Sequence, residues 1–306
     1  MTGGAPSKRR IRKTPDPWRP QAWFVEPERA GSGEVVPVAT VFLTNRECPW
    51  RCIYCDLWKG TTTERVPPGA IPAQIDFALA QPGLATARHI KLYNAGSFFD
   101  PGAIPPEDFP AIAARVARFE RVIVECHPAL VGPAAVSFRH ALPPTAVLEV
   151  ALGLEVADDA LLARLNKRMT LALFRQAAQF LVGHGMAVRA FVIVKPPFVT
   201  SEVDALRLAR LSLDFAFDCG ASVVSLIPAR PGPAELEELA RMGAFAPPTL
   251  TTFETAVAYG VGLGRGRVLA DLWNAEQLFA DSERLGGRLA RLRAMNLSQR
   301  VEPSGA

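Results

Sequence analysis

Three of the chain's five cysteines fall within eight residues, in Cys48-Pro-Trp-Arg-Cys52-Ile-Tyr-Cys55. The spacing is C-x3-C-x2-C, and the stretch directly follows an apolar run, VPVATVFLT. A packed core has no use for such a group, whereas thiolates are strong ligands for soft metals. Zinc ribbons pair C-x2-C with a second pair of Cys or His to reach four ligands. This chain has no second pair, so a fourth ligand would have to come from His89, Cys126 or His127, each on another predicted strand. Three thiolates at this spacing also suit a 4Fe-4S cluster with one iron left without a protein ligand, and an open iron is a binding position.

The elements that must carry this loop alternate between apolar β-rich runs and helical patterns. Strands are predicted at 37–45, 89–96, 120–128, 146–155, 186–198 and 221–230. Helices are predicted at 72–81, 109–119, 134–142, 158–167, 171–185 and 201–220, the last with Ser201 as N-cap. The repeat of roughly 30–35 residues is that of parallel βαβ units. The strands read as continuous apolar runs, as strands covered on both faces do. The expected fold is α/β: a partial (β/α)6 TIM-like barrel of parallel strands with a short C-terminal extension. Chemistry is then expected at the carboxyl ends of the strands. Residues 1–33 read as a basic, flexible arm, 34–232 as the core, and 233–306 as an extension packing on the core. Within that extension 231–268 reads as looser and Pro/Gly-rich, 266–274 as a candidate seventh strand, and 280–300 as a closing helix.

The strand ends carry polar groups. The second strand runs into Asn94-Ala95-Gly96-Ser97, where Gly96 permits close backbone approach. The third ends in Glu125-Cys126-His127-Pro128 and the fourth in Gly153-Leu154-Glu155. A carboxylate at the end of an apolar run is costly unless paired or used. Cys126 and Cys219 read as buried thiols. A basic turn, Leu165-Asn166-Lys167-Arg168-Met169-Thr170, follows, and Val194-Lys195-Pro196-Pro197-Phe198-Val199-Thr200 closes the fifth strand.

Totals restrict the classes available. The 306 residues allow one large α/β domain or two ordinary ones. No window is long and apolar enough to span a membrane, and no secretory signal is visible. An odd five cysteines argue against a disulfide framework, so a reduced, cytoplasmic setting is expected. The net charge of +4 resides in residues 1–30, with Lys8, Arg9, Arg10, Arg12, Lys13, Arg19 and Arg29 against Asp16, Glu26 and Glu28. This arm reads as a solvated tail or as a footprint for RNA phosphates, with Trp18 and Trp23 as possible aids.

With its context, the cysteine loop resembles that of the radical S-adenosylmethionine enzymes: a first barrel strand, then C-x3-C-x2-C, with an aromatic just before the last Cys. The resemblance covers about residues 37–230. It implies a 4Fe-4S cluster on Cys48, Cys52 and Cys55, with S-adenosylmethionine chelated at the open iron and cleaved to a 5′-deoxyadenosyl radical. It further implies that Tyr54 packs near the adenine, that Gly96 and Ser97 take the methionine amino group, and that Glu125, Glu155 and Arg168 line the cofactor. Many members have Gly-Gly-Glu where this chain has Ala95-Gly96-Ser97. The Asn166-Lys167-Arg168 turn is similar to one in the branch that holds the Elongator catalytic subunit, methylthiotransferases and nitrogenase-cofactor maturases. Arg168 replaces that branch's usual Gly, so a different backbone is expected there. The Lys195 to Thr200 segment, Phe98-Phe99-Asp100, Asp271-Leu272-Trp273 and Met295-Asn296-Leu297-Ser298-Gln299 resemble the radical enzyme subunit of archaeosine synthase and its bacterial relatives. Catalytic roles over the barrel mouth fall to Lys195 and Asp271, with an ion pair from Lys195 to Glu155 as the structural alternative. The implied partners are a flavodoxin- or ferredoxin-type electron donor and transfer RNA, with no membrane. Two other readings stay open: a zinc-binding RNA-interaction protein, and a non-catalytic iron–sulfur redox sensor.

Overall fold

The computed structural model describes residues 15–302. Its frame is one curled, eight-stranded sheet whose strands lie in chain order: β1 (Ala22–Arg29), β2 (Val35–Leu43), β3 (His89–Asn94), β4 (Arg121–Cys126), β5 (Val147–Glu155), β6 (Ala187–Val194), β7 (Val223–Pro228) and β8 (Arg267–Ala270). β1 pairs antiparallel with β2, and every pair from β2 to β8 is parallel. This is the expected partial barrel, with the candidate seventh strand present as β8. Helices cover the outer face. Their starts are capped by side-chain oxygens of Asp158, Thr170, Ser201 and Thr249, each accepting an amide hydrogen bond from the residue three further on. Among the described residues no helix is long and apolar enough to cross a membrane.

The two sheet faces differ in chemistry. Ile90, Leu92, Val122, Val124, Leu148, Val150, Val188 and Val192 join the helices in the main core. The alternate positions point to the concave face and include Lys91, Arg121, Glu149, Arg189 and Arg267. Glu149 is fully buried and holds Arg189 at 2.7 Å, Arg121 at 2.8 Å and Arg267 at 3.4 Å. Glu28 of β1 takes Arg189 at 2.6 Å and Lys91 at 2.7 Å. Burial alone would push both carboxyls up. Arg189 and its basic neighbours outweigh it and hold both below the usual carboxylate value. One step along the strands toward their carboxyl ends, Phe42, Tyr93 and Phe191 form the next layer, with neighbouring ring centroids 6.2 Å apart. The barrel interior is therefore closed by charge below and by aromatic rings above.

β1 corrects the sequence reading. Residues 22–29, read as part of a flexible arm, are a strand, and Trp23 packs edge-on against Phe77 at 5.2 Å. The pattern hid it because β1 is an edge strand that contains Pro27 and whose inward residues are the acids Glu26 and Glu28. Lys8, Arg9, Arg10, Arg12 and Lys13 lie outside the described residues. The stretch read as loose holds two helices, Ala234–Arg241 and Leu250–Gly262. The closing helix, Leu285–Ser298, explains the late polar signature. Asn296 exchanges side-chain hydrogen bonds with the backbone N–H and C=O of Ala270 at 2.7 and 2.9 Å, and Gln299 does the same with Val268 at the same distances. Two side-chain amides thus occupy the free edge of β8, which would otherwise expose a row of unpaired groups.

Candidate metal and cofactor site

β2 ends at Leu43, and the cysteine loop crosses the carboxyl mouth of the half-barrel. Cys48, Cys52 and Cys55 are free, partly exposed thiols, whereas Cys126 and Cys219 are buried, as expected. Three hydrogen bonds tie the loop down. The Asn45 amide donates to the Ala95 carbonyl at 3.3 Å, Ile53 N–H donates to the Leu165 carbonyl at 3.2 Å, and the Asn166 amide donates to the Arg51 carbonyl at 2.6 Å. Trp50 stacks on His127 with centroids 4.0 Å apart and planes 11° from parallel. Gly96 has φ +139, and a Cβ there would stand 3.4 Å from Cys48 Cβ and 3.8 Å from its sulfur. The turn after β3 therefore brings bare backbone against the first cysteine.

Burial pushes all three thiols up, Cys55 to about 11, while the nearby Lys167 ammonium partly offsets this at Cys48 and Cys52. Coordination needs thiolates, so loading a metal here must release protons and strengthen as pH rises toward the thiol values. Among the described residues no three His, Cys, Asp or Glu side chains already form a metal cage. The loop gathers the thiols without closing them.

The donor set fits a three-thiolate cluster better than a four-ligand zinc site. His127 spends both nitrogens: Nδ1 accepts from Ala129 N–H at 3.1 Å, and Nε2 stands 3.0 Å from the Lys167 carbonyl, which makes it the protonated nitrogen. Burial, then the charge of Lys167, holds this ring down to about 4, so it is neutral. Cys126 is buried, its thiol pushed up by burial to about 12 and donating to the His127 carbonyl. His89 starts β3, at the end of the sheet opposite the mouth.

Two carboxyls line the mouth in different states. Glu155, with φ +65, forms a buried pair with Lys167 at 2.6 Å. Gly153 makes room for it, since a Cβ there would lie 2.3 Å from Glu155 Oε1 and 2.5 Å from Lys167 Nζ. Gly153→Ala is expected to displace this pair and to destabilise the fold by ~1–3 kcal/mol in urea titration, the usual cost of forcing extra volume into a packed site. An unchanged midpoint would contradict the crowding. Glu125, by contrast, forms no ion pair among the described residues, and burial pushes it up to about 8. It is uncharged at pH 7. Because the folded value is raised, its contribution to stability is fully present below the ordinary value of 4.5 and is lost as pH rises through about 8. Glu125→Gln is expected to remove this part of the pH dependence. Urea midpoints at pH 5, 7 and 8.5 that fall in parallel for both proteins would refute it.

No protein-family model matches the chain. Curated relatives do. Archaeosine synthase subunit beta of Thermococcus kodakarensis is 33% identical over 128 residues, 40% of this chain and 39% of that protein. Its counterpart from Methanosarcina acetivorans is 25% identical over 252 residues, covering 79% of this chain and 72% of the relative. Among solved structures, SuiB of Streptococcus suis bound to S-adenosylmethionine superposes with a TM-score of 0.55 at 11% identity, over 80% of this chain and 52% of SuiB. This chain shares its fold with SuiB. The resemblance to archaeosine synthase subunit beta that the sequence suggested is present in its relatives.

On this fold the remaining predicted residues take distinct places. Tyr54 packs among Ile193, Ala229, Leu236 and Phe245, with its hydroxyl at Cys52, and burial raises its value well above the ordinary one. Ser97 is buried, and its hydroxyl accepts from His127 N–H at 2.8 Å, so it ties the end of β3 to that of β4. Arg168 is exposed on the 165–168 turn. Arg168 itself takes φ +56, so the turn adopts a left-handed conformation without glycine. Lys195 is buried. It pairs with Glu202 and donates to the Pro247 carbonyl at 3.2 Å, so neither a free ammonium nor the alternative pair with Glu155 is found. Asp271 pairs with Arg230 at 3.1 Å and accepts from Trp273 N–H.

Sequence reasoning missed Trp50 and the clamp formed by Asn166. The one available signal was an aromatic inside the cysteine loop. It also missed the strain. Glu155, the last residue of β5, has positive φ, as do Asn166, Arg168, Lys195 and Phe198 in the segments that follow β5 and β6. Such a cluster in residues other than glycine points to a functional site, and apart from glycine and, more weakly, Asn, residues give no notice of positive φ in a sequence.

Proposed function

We propose that this protein is a radical S-adenosylmethionine enzyme. The observation that carries the reading is the placement of three free thiols on one loop at the barrel mouth, the first of them, Cys48, against the bare backbone of Gly96. Cys48, Cys52 and Cys55 would hold a 4Fe-4S cluster. When bound, the cluster and S-adenosylmethionine supply a 5′-deoxyadenosyl radical for hydrogen abstraction. The chain's own part is placement. Gly96 admits the cofactor's polar end beside Cys48, with Ser97 fixing that turn. Tyr54 offers a half-buried ring within the ligand loop, between Cys52 and Cys55. Glu125, uncharged at neutral pH, presents a hydrogen-bond donor at the mouth, and the Glu155–Lys167 ion pair holds the Lys167 ammonium in place near the thiols. Arg168 offers an exposed guanidinium on the adjoining turn, suited to a carboxylate. The Arg230–Asp271 pair borders the substrate side, and Lys195 fixes the loop after β6.

The substrate class is a nucleoside, with transfer RNA as the leading substrate. Similarity to archaeosine synthase subunit beta supports it, as does the Lys195 to Thr200 segment. The matched regions span 39% and 72% of those relatives. Their designation as a subunit supports a partner chain, and a flavodoxin- or ferredoxin-type protein would supply the electron. The test is anaerobic reconstitution with iron and sulfide, addition of dithionite and S-adenosylmethionine, and detection of 5′-deoxyadenosine with and without transfer RNA. Its formation supports the reading. Zinc with no cluster would favour the RNA-interaction protein, and a cluster with no cleavage under either condition would favour the redox sensor.

A further inference from the structure

We propose that Asn166 is a positioning residue that presets the cysteine loop before any metal binds. The inference rests on the radical-enzyme reading for its purpose, but its geometry stands alone. Arg51 lies inside the segment between Cys48 and Cys52, and its carbonyl receives the Asn166 side-chain amide at 2.6 Å. The neighbouring backbone bond, Ile53 N–H to the Leu165 carbonyl at 3.2 Å, fixes the segment between Cys52 and Cys55 to the same turn. One turn thus grips both inter-cysteine segments. Left to itself, a loop of this kind samples many arrangements, and every ordered residue costs conformational entropy at the moment of binding. Gripping the loop in the apo protein moves that cost into folding.

The turn is built for this reach. Asn166 and Arg168 both hold left-handed backbone, φ +54 and +56. That conformation is costly for most side chains and easiest, after glycine, for Asn. Glycine would serve the backbone equally well and would supply no amide. The Lys167 carbonyl between them takes His127 Nε2–H, and His127 stacks under Trp50 of the same loop, so a second contact holds the loop from the β4 side. Lys167 itself points its ammonium inward to Glu155 at 2.6 Å. Three consecutive residues therefore divide the work: amide to the loop, ammonium to the mouth carboxylate, guanidinium to the exterior.

Two variants separate the amide from the backbone. Asn166→Asp keeps the shape and the left-handed tolerance but sets an oxygen against the Arg51 carbonyl. Asn166→Gly keeps the backbone freedom and removes the side chain. The first readout is alkylation of the metal-free, reduced protein by iodoacetamide, resolved cysteine by cysteine with mass spectrometry. In both variants Cys48 and Cys52 are expected to react about fivefold faster, the factor by which one lost hydrogen bond shifts a loop-opening equilibrium, with buried Cys126 and Cys219 unchanged as internal standards. Unchanged rates at Cys48 and Cys52, or a rise at all five cysteines, would overturn the proposal. The second readout is the electron paramagnetic resonance spectrum of the reconstituted, reduced protein, where both variants are expected to broaden the signal of the wild type. A spectrum identical to wild type in both variants would also overturn it. A wild type that takes up no iron would refute the proposed function, while the alkylation result would still decide the role of Asn166.

Discussion

Cys52→Ala is expected to drop iron and sulfide after anaerobic reconstitution from about four of each per chain to background, and 5′-deoxyadenosine to the level without protein. Cys52 is the middle ligand of the loop. The Tyr54 hydroxyl and the Lys167 ammonium both act on its thiol. Among the described residues neither the histidine nor the other thiol at the mouth is free to substitute: His127 has committed both nitrogens, and Cys126 is buried with its proton engaged. With two thiolates left, the cluster loses a thiolate bond that neither His127 nor Cys126 can replace. The fold should survive, because Cys52 is partly exposed and outside the hydrophobic core. The check is metal analysis beside circular dichroism. A variant that is folded and still holds a full cluster would show that the three-thiol site is misassigned.

Glu149→Gln is expected to have the largest effect on stability, lowering the unfolding free energy by about 3–5 kcal/mol, the range for breaking a buried ion pair from one side. Glu149 is fully buried, with Arg121, Arg189 and Arg267 on its two oxygens. Arg189 keeps a partner in Glu28, but Arg121 and Arg267 lose their principal buried counter-charge. The amide is isosteric, so packing stays constant and charge alone changes. The pH dependence gives an independent check. Glu149 and Glu28 are held below the ordinary 4.5, so their stabilisation is present above that value and is lost as pH falls below it. The difference between wild type and variant should therefore shrink in urea titrations moved from pH 7 to pH 3. A variant within about 0.5 kcal/mol of wild type at pH 7 would mean the network contributes little.

The linear sequence determined the ligand set and the main frame. Cys48, Cys52 and Cys55 are readable because their spacing is local. β2 to β7 are readable because their outward residues, such as Ile90, Leu92, Val122 and Val124, form apolar runs at a regular repeat. Ser201 is readable as a cap because capping acts over three residues. Tertiary structure alone decided the rest, and in each case the cause is an interaction between residues far apart in the chain. Glu26 and Glu28 look like solvated charges until β1 lays them against Lys91 and Arg189, 65 and 161 residues away. Lys195 looks like a free cation at a strand end until Glu202 and Pro247 engage it. Gly153 is an ordinary strand glycine until Lys167 and Glu155 meet over it. Asn166 reaches Arg51 across 115 residues. Burial and pairing partners set the charge state and freedom of each of these groups. Both are properties of the folded surroundings, which no local spacing encodes.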